Sequence, residues 1–205
     1  MKTKLKLEWT IPNILTTIRL LAIPVMAIFI FRMRQGQEHE ELSATVAFVF
    51  FVAIWLTDLA DGYIARKYDM VSEFGKIYDP FVDKLFQFTT AFMMLLIGRI
   101  PLWVVMFILV KEIVMILGGA FVLQQMKLVV MAKWYGKAST VLFVMALASL
   151  FFLTKDTLYY AHFIFIPPVL MATFSTVRYA MNAIVKFNEM NEDNPEDVSS
   201  GQNIS

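Results

Sequence analysis

Apolar residues occupy most of this chain in six long runs that are separated by short polar connections. The runs lie at residues 11–31, 42–56, 81–97, 102–123, 138–153 and 161–184. With its flanks, each run approaches the roughly 20 residues that an α-helix needs to cross about 30 Å of hydrocarbon. The pattern therefore predicts an all-α polytopic membrane protein with six transmembrane helices.

The composition agrees with a membrane protein, since 59% of the 205 residues are hydrophobic and 17% are charged. A soluble core of this size could not bury so much apolar surface. The first run is long, lacks a small-residue cleavage site and is interrupted by Asn13 and Arg19, so we do not expect a removable signal peptide. We predict an interfacial segment at residues 1–10, a six-helix domain at 11–186 and a disordered acidic tail at 187–205.

The placement of basic residues predicts the orientation in the membrane. The formal net charge is only +1, which gives no electrostatic footprint for nucleic acid. Outside the runs, one side collects Lys2, Lys4, Lys6, Arg66, Lys67, Lys76, Lys127, Lys133, Lys137 and Lys186, and the other has Arg32, Arg34, Arg99 and Lys155. Both termini should therefore be cytoplasmic. Because the chain lacks cysteine and both histidines fall on the outer side, a cytoplasmic metal site must use oxygen ligands.

Four aspartates lie where the second predicted helix ends and the third begins. At about 100° per residue, Asp58 and Asp61 share one face of helix two, and Asp79 and Asp83 share one face of helix three. The connection at 67–78 is short, so an antiparallel hairpin should bring both faces to the same depth. An ionisable residue in a membrane span costs roughly 2.5–3.5 kcal/mol on insertion scales, which points to a functional role.

The residues around the aspartates indicate the chemistry. Four like charges in a poorly solvated site repel one another unless cations neutralise them, and oxygen ligands suit Mg²⁺ or Mn²⁺. Gly62 and Ala65 leave room for a bulky polar ligand, and Arg66 offers a planar fork to phosphate. A single aspartate near a helix end is commonly a cap, but too few basic residues lie nearby to pair all four. The set predicts a two-metal phosphoryl-transfer site.

From Asp58 to Asp83 the sequence reads D-x-x-D-G-x-x-A-R-x8-G-x-x-x-D-x-x-x-D, in which the single glycine is Gly75. This pattern resembles the signature of the CDP-alcohol phosphotransferase family at every fixed position. The resemblance implies a six-helix membrane fold and a cytoplasmic site that moves a phosphatidyl group from CDP-diacylglycerol to an alcohol and releases CMP. It also implies a homodimer in a membrane, most simply the bacterial cell membrane.

The resemblance further implies roles for individual residues. Asp58, Asp61 and Asp79 would hold the metals, and Asp83 would lie near them as the general base that activates the acceptor hydroxyl. The CMP pocket would be lined by Gly62, Ala65, Arg66 and Gly75.

Residues 12–19 read P-N-x-x-T-x-x-R, similar to a stretch at the start of bacterial members of the family. By that similarity Asn13 and Thr16 would face the nucleotide. The alternative is that Asn13 caps the first helix and that Thr16 is only a small packing residue.

The acceptor alcohol is less clearly specified. Lys111 and Arg178 lie in apolar runs, where a lone cation is costly, and together with Lys133 and Lys137 they favour a phosphorylated acceptor. Phosphatidylglycerophosphate synthases carry an Arg-Glu pair and a G-K-x-K-T stretch, and here the matching residues read Lys-Glu at 111–112 and G-K-A-S-T at 136–140. One basic position is missing. Glycerol-3-phosphate is the favoured acceptor.

Several alternatives stay open. Residues 111–120 also resemble CMP-forming cardiolipin synthases, whose acceptor is phosphatidylglycerol, and inositol, inositol phosphate or serine remain possible acceptors. Lys133 and Lys137 could be topology charges, and Glu112 could simply pair with Lys111. Two other classes fit less well: a membrane prenyltransferase needs two separated acidic motifs, and an ion-coupled transporter predicts inverted repeats and sites near the midplane.

Overall fold

The computed structural model describes residues 10–34, 36, 39–68, 74–126 and 134–193, and all regular structure in these residues is helical. The elements are α1 (Ile11–Arg32), α2 (Glu40–Lys67), α3 (Gly75–Leu96), α4 (Leu102–Met126), α5 (Trp134–Ser149), two 3₁₀ segments (Leu150–Phe152 and Lys155–Tyr160), α6 (Ala161–Ile164) and α7 (Ile166–Asp193). The predicted fold class is confirmed: the chain is an all-α polytopic membrane protein.

Within the described residues, five helical stretches are long and apolar enough to cross a membrane. They are Ile11–Arg32, Glu40–Ile64, Leu102–Val122, Trp134–Phe152 and Asp156–Phe187. The remaining long helix, α3, has 22 residues but carries Asp79, Asp83 and Lys84 in its first turns. The third of the six predicted spans is therefore present as a helix, α3, whose beginning is polar.

The helices extend beyond the apolar runs that predicted them. α3 begins at Gly75, within the predicted connection 67–78, and α5 begins at Trp134, within the predicted connection 124–137. Hydrophobicity marks where a helix meets lipid, whereas the backbone hydrogen bonds that define the helix continue into the polar flanks. Both of these connections are consequently shorter than hydropathy alone predicts.

The last helix also corrects the predicted domain boundary. α7 continues to Asp193, so residues 187–193, which the sequence assigned to the tail, are helical. Phe187 lines an apolar groove together with Ile184 and Val114, so the apolar surface of α7 continues past the apolar run. Residues 194–205 of the predicted tail, and residues 1–9 of the predicted interfacial segment, lie outside the described residues.

The chain divides into two compact units. The first unit comprises Met1–Val105 and Val144–His162, and the second comprises Met106–Phe143 and Phe163–Ser205. α4 and α5 each contribute residues to both units, so the division does not follow chain order. The single six-helix domain at 11–186 stays a prediction.

In the first unit, α1 packs against both α2 and α3. The buried face of α1 is polar at its beginning, with Asn13, Thr16 and Arg19, and apolar further on, with Ile23, Met26 and Ile30. At the apolar level, Phe51 of α2 and Phe86 of α3 bring their ring centroids to 5.1 Å. The buried polar groups of this helix are thus concentrated at one end of the unit.

The opposite end of the first unit is held together by Arg99, which is buried in the connection after α3. Its guanidinium donates hydrogen bonds to the carbonyl oxygens of Leu150 and Leu153 at 3.2 and 2.9 Å, and to Oε1 of Glu40 at 3.0 Å. Burial lowers the pKa of Arg99 from its ordinary value, and the Glu40 carboxylate opposes that shift. Arg99 therefore joins three segments of the chain.

Candidate active site

Arg19 connects α1 to both aspartates of α2. Its side chain is almost fully buried, Nη1 donates to Oδ1 of Asp58, and Nη2 donates to Oδ2 of Asp61 at 2.5 Å. In the sequence, Arg19 stood out as an interruption of an apolar run and as the last residue of the P-N-x-x-T-x-x-R stretch, but these partners were not predicted. The signal was present: a lone arginine inside a membrane span needs a partner of opposite charge.

Thr16 extends the contact to α3. Arg19 Nη2 also donates to Oγ1 of Thr16 at 3.2 Å, and Thr16 in turn donates to Oδ1 of Asp79 at 2.6 Å. Thr16 is fully buried, so water does not compete freely for these bonds. One turn of α1 therefore joins three of the four predicted aspartates, which come from two other helices.

Asp83, the fourth aspartate, lies one turn further along α3. Nε2 of Gln87 is 3.4 and 3.3 Å from its two carboxylate oxygens, a contact that the sequence did not suggest. Asp83 interacts electrostatically with Asp58 and Arg19. Asp61 interacts in the same way with Asp58 and Asp79, so the four carboxylates share one electrostatic environment.

Whether the four aspartates can hold a metal ion depends on the arrangement and chemistry of their carboxylate oxygens. Among the described residues, no three acidic or histidine side chains form a ready-made metal cluster, which corrects the expectation that four carboxylates converge directly. The guanidinium of Arg19 joins Asp58 to Asp61, so the carboxylates meet through a cation. Four carboxylates nevertheless carry more negative charge than Arg19 alone offsets, and their oxygens suit a hard divalent ion. The donor set fits such a metal.

The structure describes some of the residues that were predicted to line the CMP pocket. Gly62 is partly buried in α2, and Gly75 is buried as the first residue of α3. The side chains of Ala65 and Arg66 lie outside the described part of the chain. Asn13 is buried on α1, and the residue at the N-cap of this helix is Thr10, so the alternative that Asn13 caps α1 is wrong.

The predicted acceptor residues that the structure describes belong to the second unit. Lys111 pairs with Glu112 at 2.6 Å, as the structural alternative proposed. Arg178 is exposed, and its guanidinium carbon lies 5.8 Å from the centroid of the Phe174 ring. Lys137 is exposed near the beginning of α5. Lys133 lies outside the described residues.

A tight contact between α5 and α7 lies next to two of these cations in sequence. A methyl group added at Gly136 would come within 2.7 Å of the Tyr179 hydroxyl. Tyr179 packs against Tyr135 with ring centroids 5.1 Å apart, and Ser175 donates to the carbonyl oxygen of Tyr135 at 3.0 Å. Lys137 follows Gly136 directly, so it lies next to this contact in the first turn of α5.

Comparison with known proteins identifies the family of this chain. The CDP-alcohol phosphatidyltransferase family matches residues 9–185. The chain is 36% identical over 137 residues to a probable phosphatidylglycerophosphate synthase of Mycobacterium tuberculosis (strain CDC 1551 / Oshkosh), a match that covers 66% of this chain and 62% of that protein. The chain therefore spans less than two thirds of that relative.

Two further relatives carry another name, CDP-diacylglycerol–glycerol-3-phosphate 3-phosphatidyltransferase. The protein of Bacillus subtilis (strain 168) is 30% identical over 148 residues, which cover 69% of this chain and 76% of the relative. The protein of Rickettsia prowazekii (strain Madrid E) is 37% identical over 81 residues, 40% of this chain and 41% of the relative. Because the family match spans the aspartate site and all but the ends of the chain, this protein belongs to the CDP-alcohol phosphatidyltransferase family.

Proposed function

We propose that this protein transfers the phosphatidyl group of CDP-diacylglycerol to glycerol-3-phosphate, giving phosphatidylglycerophosphate and CMP. The family uses CDP-diacylglycerol and an alcohol acceptor, and the names of the Mycobacterium and Bacillus relatives refer to this product or acceptor. The observation that carries the proposal is the link from Arg19 through Thr16, which draws Asp58, Asp61 and Asp79 together at one end of the first unit.

Members of the family generally use a divalent metal. We infer that two ions, Mg²⁺ or Mn²⁺, are held by Asp58, Asp61 and Asp79, with Asp83 beside them. The negative charge that Arg19 leaves uncompensated supports this assignment. When bound, such ions neutralise the diphosphate of the donor and stabilise the charge that develops as CMP leaves.

Asp83 is the proposed general base. An alcohol is a poor nucleophile until it loses its proton, and a carboxylate within reach can accept that proton in the transition state. The acceptor oxygen then forms a bond to the phosphorus of the phosphatidyl group, the bond from that phosphorus to CMP breaks, and the proton stays on Asp83. Gln87, which donates toward both carboxylate oxygens, supports the role by orienting the base.

The proposed donor pocket combines the glycines of the motif with the polar start of α1. Gly62 follows Asp61 directly, and its missing side chain leaves space for the nucleotide beside the carboxylate. Asn13 and Thr16 lie on the buried polar face of α1. The Thr16 contact to Asp79 supports a position beside the donor. The remaining proposed members of the pocket are Ala65, Arg66 and Gly75, with Arg66 offering a fork to phosphate.

The acceptor phosphate is the proposed partner of the cations outside the aspartate site. Arg178 and Lys137 are exposed, so they can receive a charged ligand from solution. The ring of Phe174 orients the Arg178 guanidinium. Lys133 is the third proposed contact, and Lys111 is the weakest of the four, because Glu112 already neutralises it.

The proposed setting is a bacterial cell membrane, with both termini and the aspartates on the cytoplasmic side and with the protein acting as a homodimer. Cytoplasmic orientation follows from the distribution of lysine and arginine outside the apolar runs. It also gives the aspartates access to the water-soluble acceptor.

A product assay tests the proposal. The purified protein is incubated with CDP-diacylglycerol, Mg²⁺ and one acceptor at a time: glycerol-3-phosphate, phosphatidylglycerol, inositol, inositol phosphate or serine. Mass analysis should find phosphatidylglycerophosphate and equimolar CMP with the first acceptor alone. If cardiolipin forms instead, the acceptor is phosphatidylglycerol, and the transfer of a phosphatidyl group with release of CMP still holds. No CMP release with any acceptor would contradict the proposal.

A further inference from the structure

Arg19 is a buried cation whose hydrogen bonds within the described residues all go to the aspartate site. Its side chain is 2% exposed, and its partners are Asp58, Asp61 and Thr16. Its Nε has no hydrogen-bond partner among the described atoms. A structural arginine such as Arg99 instead reaches main-chain carbonyls from separate segments. The contacts of Arg19 therefore indicate a role within the site.

The geometry of the contact shows how Arg19 acts on the carboxylates. Its two terminal nitrogens take one oxygen of Asp58 and one of Asp61, which are three residues apart on α2. A planar guanidinium bound to two carboxylates at once restricts the rotation of both. Each carboxylate keeps a second oxygen that Arg19 does not use. The same nitrogen that binds Asp61 also reaches Thr16, which extends the alignment to Asp79.

Two opposing effects decide what Arg19 does to metal affinity. Its positive charge repels a divalent cation, so removing it should tighten binding. On the other hand, the hydrogen bonds of Arg19 align carboxylates that otherwise repel one another, so replacing Arg19 should weaken metal binding. Arg19 and its contact with Asp61 are buried, and Arg19 binds two aspartates directly and a third through Thr16. We therefore take alignment as the larger effect, since groups that orient metal ligands are typically worth about 10–100-fold in affinity.

We propose that Arg19 is a positioning residue that holds Asp58 and Asp61 in the arrangement that binds a divalent cation. This inference rests on the proposed metal-dependent function. It assigns to α1 a part in metal binding that the aspartate motif alone does not contain.

The test measures metal binding without turnover. Mn²⁺ is titrated into the purified full-length protein in detergent, with no lipid substrate, and free Mn²⁺ is followed by electron paramagnetic resonance. Arg19→Gln should weaken Mn²⁺ binding by about 10–100-fold. Arg19→Lys should give an intermediate loss, because an ammonium keeps the charge but lacks the planar fork.

Arg99→Gln is the matched control, because it removes another buried arginine from the other end of the same unit. It should lower the midpoint of thermal unfolding and leave Mn²⁺ affinity unchanged. If the Arg19 variants bind Mn²⁺ as tightly as the unaltered protein, or more tightly, the inference is wrong. If Arg19→Gln does not fold, Arg19→Lys decides by the same criterion. Absence of Mn²⁺ binding to the unaltered protein would instead overturn the metal-dependent function, and the inference with it.

Discussion

Thr16 and Asp79 are 63 positions apart in the chain, and Oγ1 of Thr16 donates a hydrogen bond of 2.6 Å to Oδ1 of Asp79. The bond connects the first membrane helix to the first turns of α3. Thr16 is buried and Asp79 is partly buried, and a hydrogen bond to a carboxylate in such a setting contributes more than a typical exposed hydrogen bond. α1 is therefore part of the aspartate site as well as a membrane span.

Replacing Thr16 with valine should lower kcat/KM for CDP-diacylglycerol by about 10–100-fold, the scale of about 1.5–3 kcal/mol for a hydrogen bond to a charged group. Valine keeps the branched shape and removes the hydroxyl. Thr16→Ser, which keeps the hydroxyl, should retain most activity. Steady-state kinetics with varied donor concentration measure all three proteins.

Thr90→Val is the matched control for that substitution. Thr90 is also fully buried in the first unit, but its hydroxyl donates to the carbonyl oxygen of Phe86 in its own helix at 2.9 Å. Its loss should leave kcat/KM close to that of the unaltered protein. Equal losses for Thr16→Val and Thr90→Val would show that the Thr16 effect is a general packing defect.

Metal dependence gives a second prediction. Activity should require Mg²⁺ or Mn²⁺, disappear in excess chelator and return when either ion is added back. Ca²⁺ and Zn²⁺ should not restore it to a comparable level, because a compact carboxylate and diphosphate site favours small hard cations with octahedral geometry. The measurement is CMP release at fixed substrate concentrations, and full turnover in chelator would count against any metal role.

The sequence predicted the faces of the aspartates, because helical spacing fixes which residues lie on the same side. The short connection between α2 and α3 predicted that these faces meet, but not that α1 links their aspartates. Arg19 lies 39 and 42 positions from its partners Asp58 and Asp61, and no local pattern encodes such a pairing. Gln87 was missed for a different reason, since an uncharged amide four residues from Asp83 is a common feature of a helix surface.

Helix boundaries show the same limit. Hydropathy located the five helical stretches that are apolar enough to cross a membrane, but each predicted run ends where the side chains become polar. α3 is not among these five stretches, because Asp79, Asp83 and Lys84 lower the hydropathy of its first turns. α3 begins at Gly75, and no apolar pattern in the sequence marks that residue as a helix start. Only the hydrogen-bonded backbone shows it.

Acceptor binding gives a third prediction. Lys137→Ala and Arg178→Ala, tested singly, should each raise KM for a phosphorylated acceptor far more than KM for CDP-diacylglycerol, as expected for groups that bind acceptor charge. Lys186→Ala is the control, since Lys186 is likewise an exposed cation of α7. Equal effects of Lys137→Ala and Arg178→Ala on both substrates would argue against the assignment.

The contact at Gly136 gives a stability prediction. Gly136→Ala places a methyl group 2.7 Å from the Tyr179 hydroxyl, and the packed ring of Tyr179 must move. Overpacking of this kind costs about 1–3 kcal/mol of folding stability. Gly118→Ala is the control, because its added methyl group meets no atom within 4 Å. Thermal unfolding in detergent should show a lower midpoint for Gly136→Ala alone.

The division of labour among the aspartates gives the last prediction. Asp83→Asn should cut kcat by about 10²–10⁴-fold, the usual scale for losing general-base help, and largely preserve binding of CDP-diacylglycerol. Asp58→Asn, Asp61→Asn and Asp79→Asn should weaken metal-dependent donor binding as well as turnover, since a missing ligand leaves the diphosphate charge poorly compensated.

The contacts around the four residues explain why they should differ. Asp58 and Asp61 are bound by Arg19, and Asp79 is bound by Thr16, so these three belong to one hydrogen-bonded set. Asp83 is held through Gln87 within its own helix and can turn toward an acceptor without breaking that set. Donor binding measured separately from turnover in all four variants decides the matter. If Asp83→Asn loses donor binding as completely as Asp58→Asn, then Asp83 is mainly a ligand and the general base must be another group.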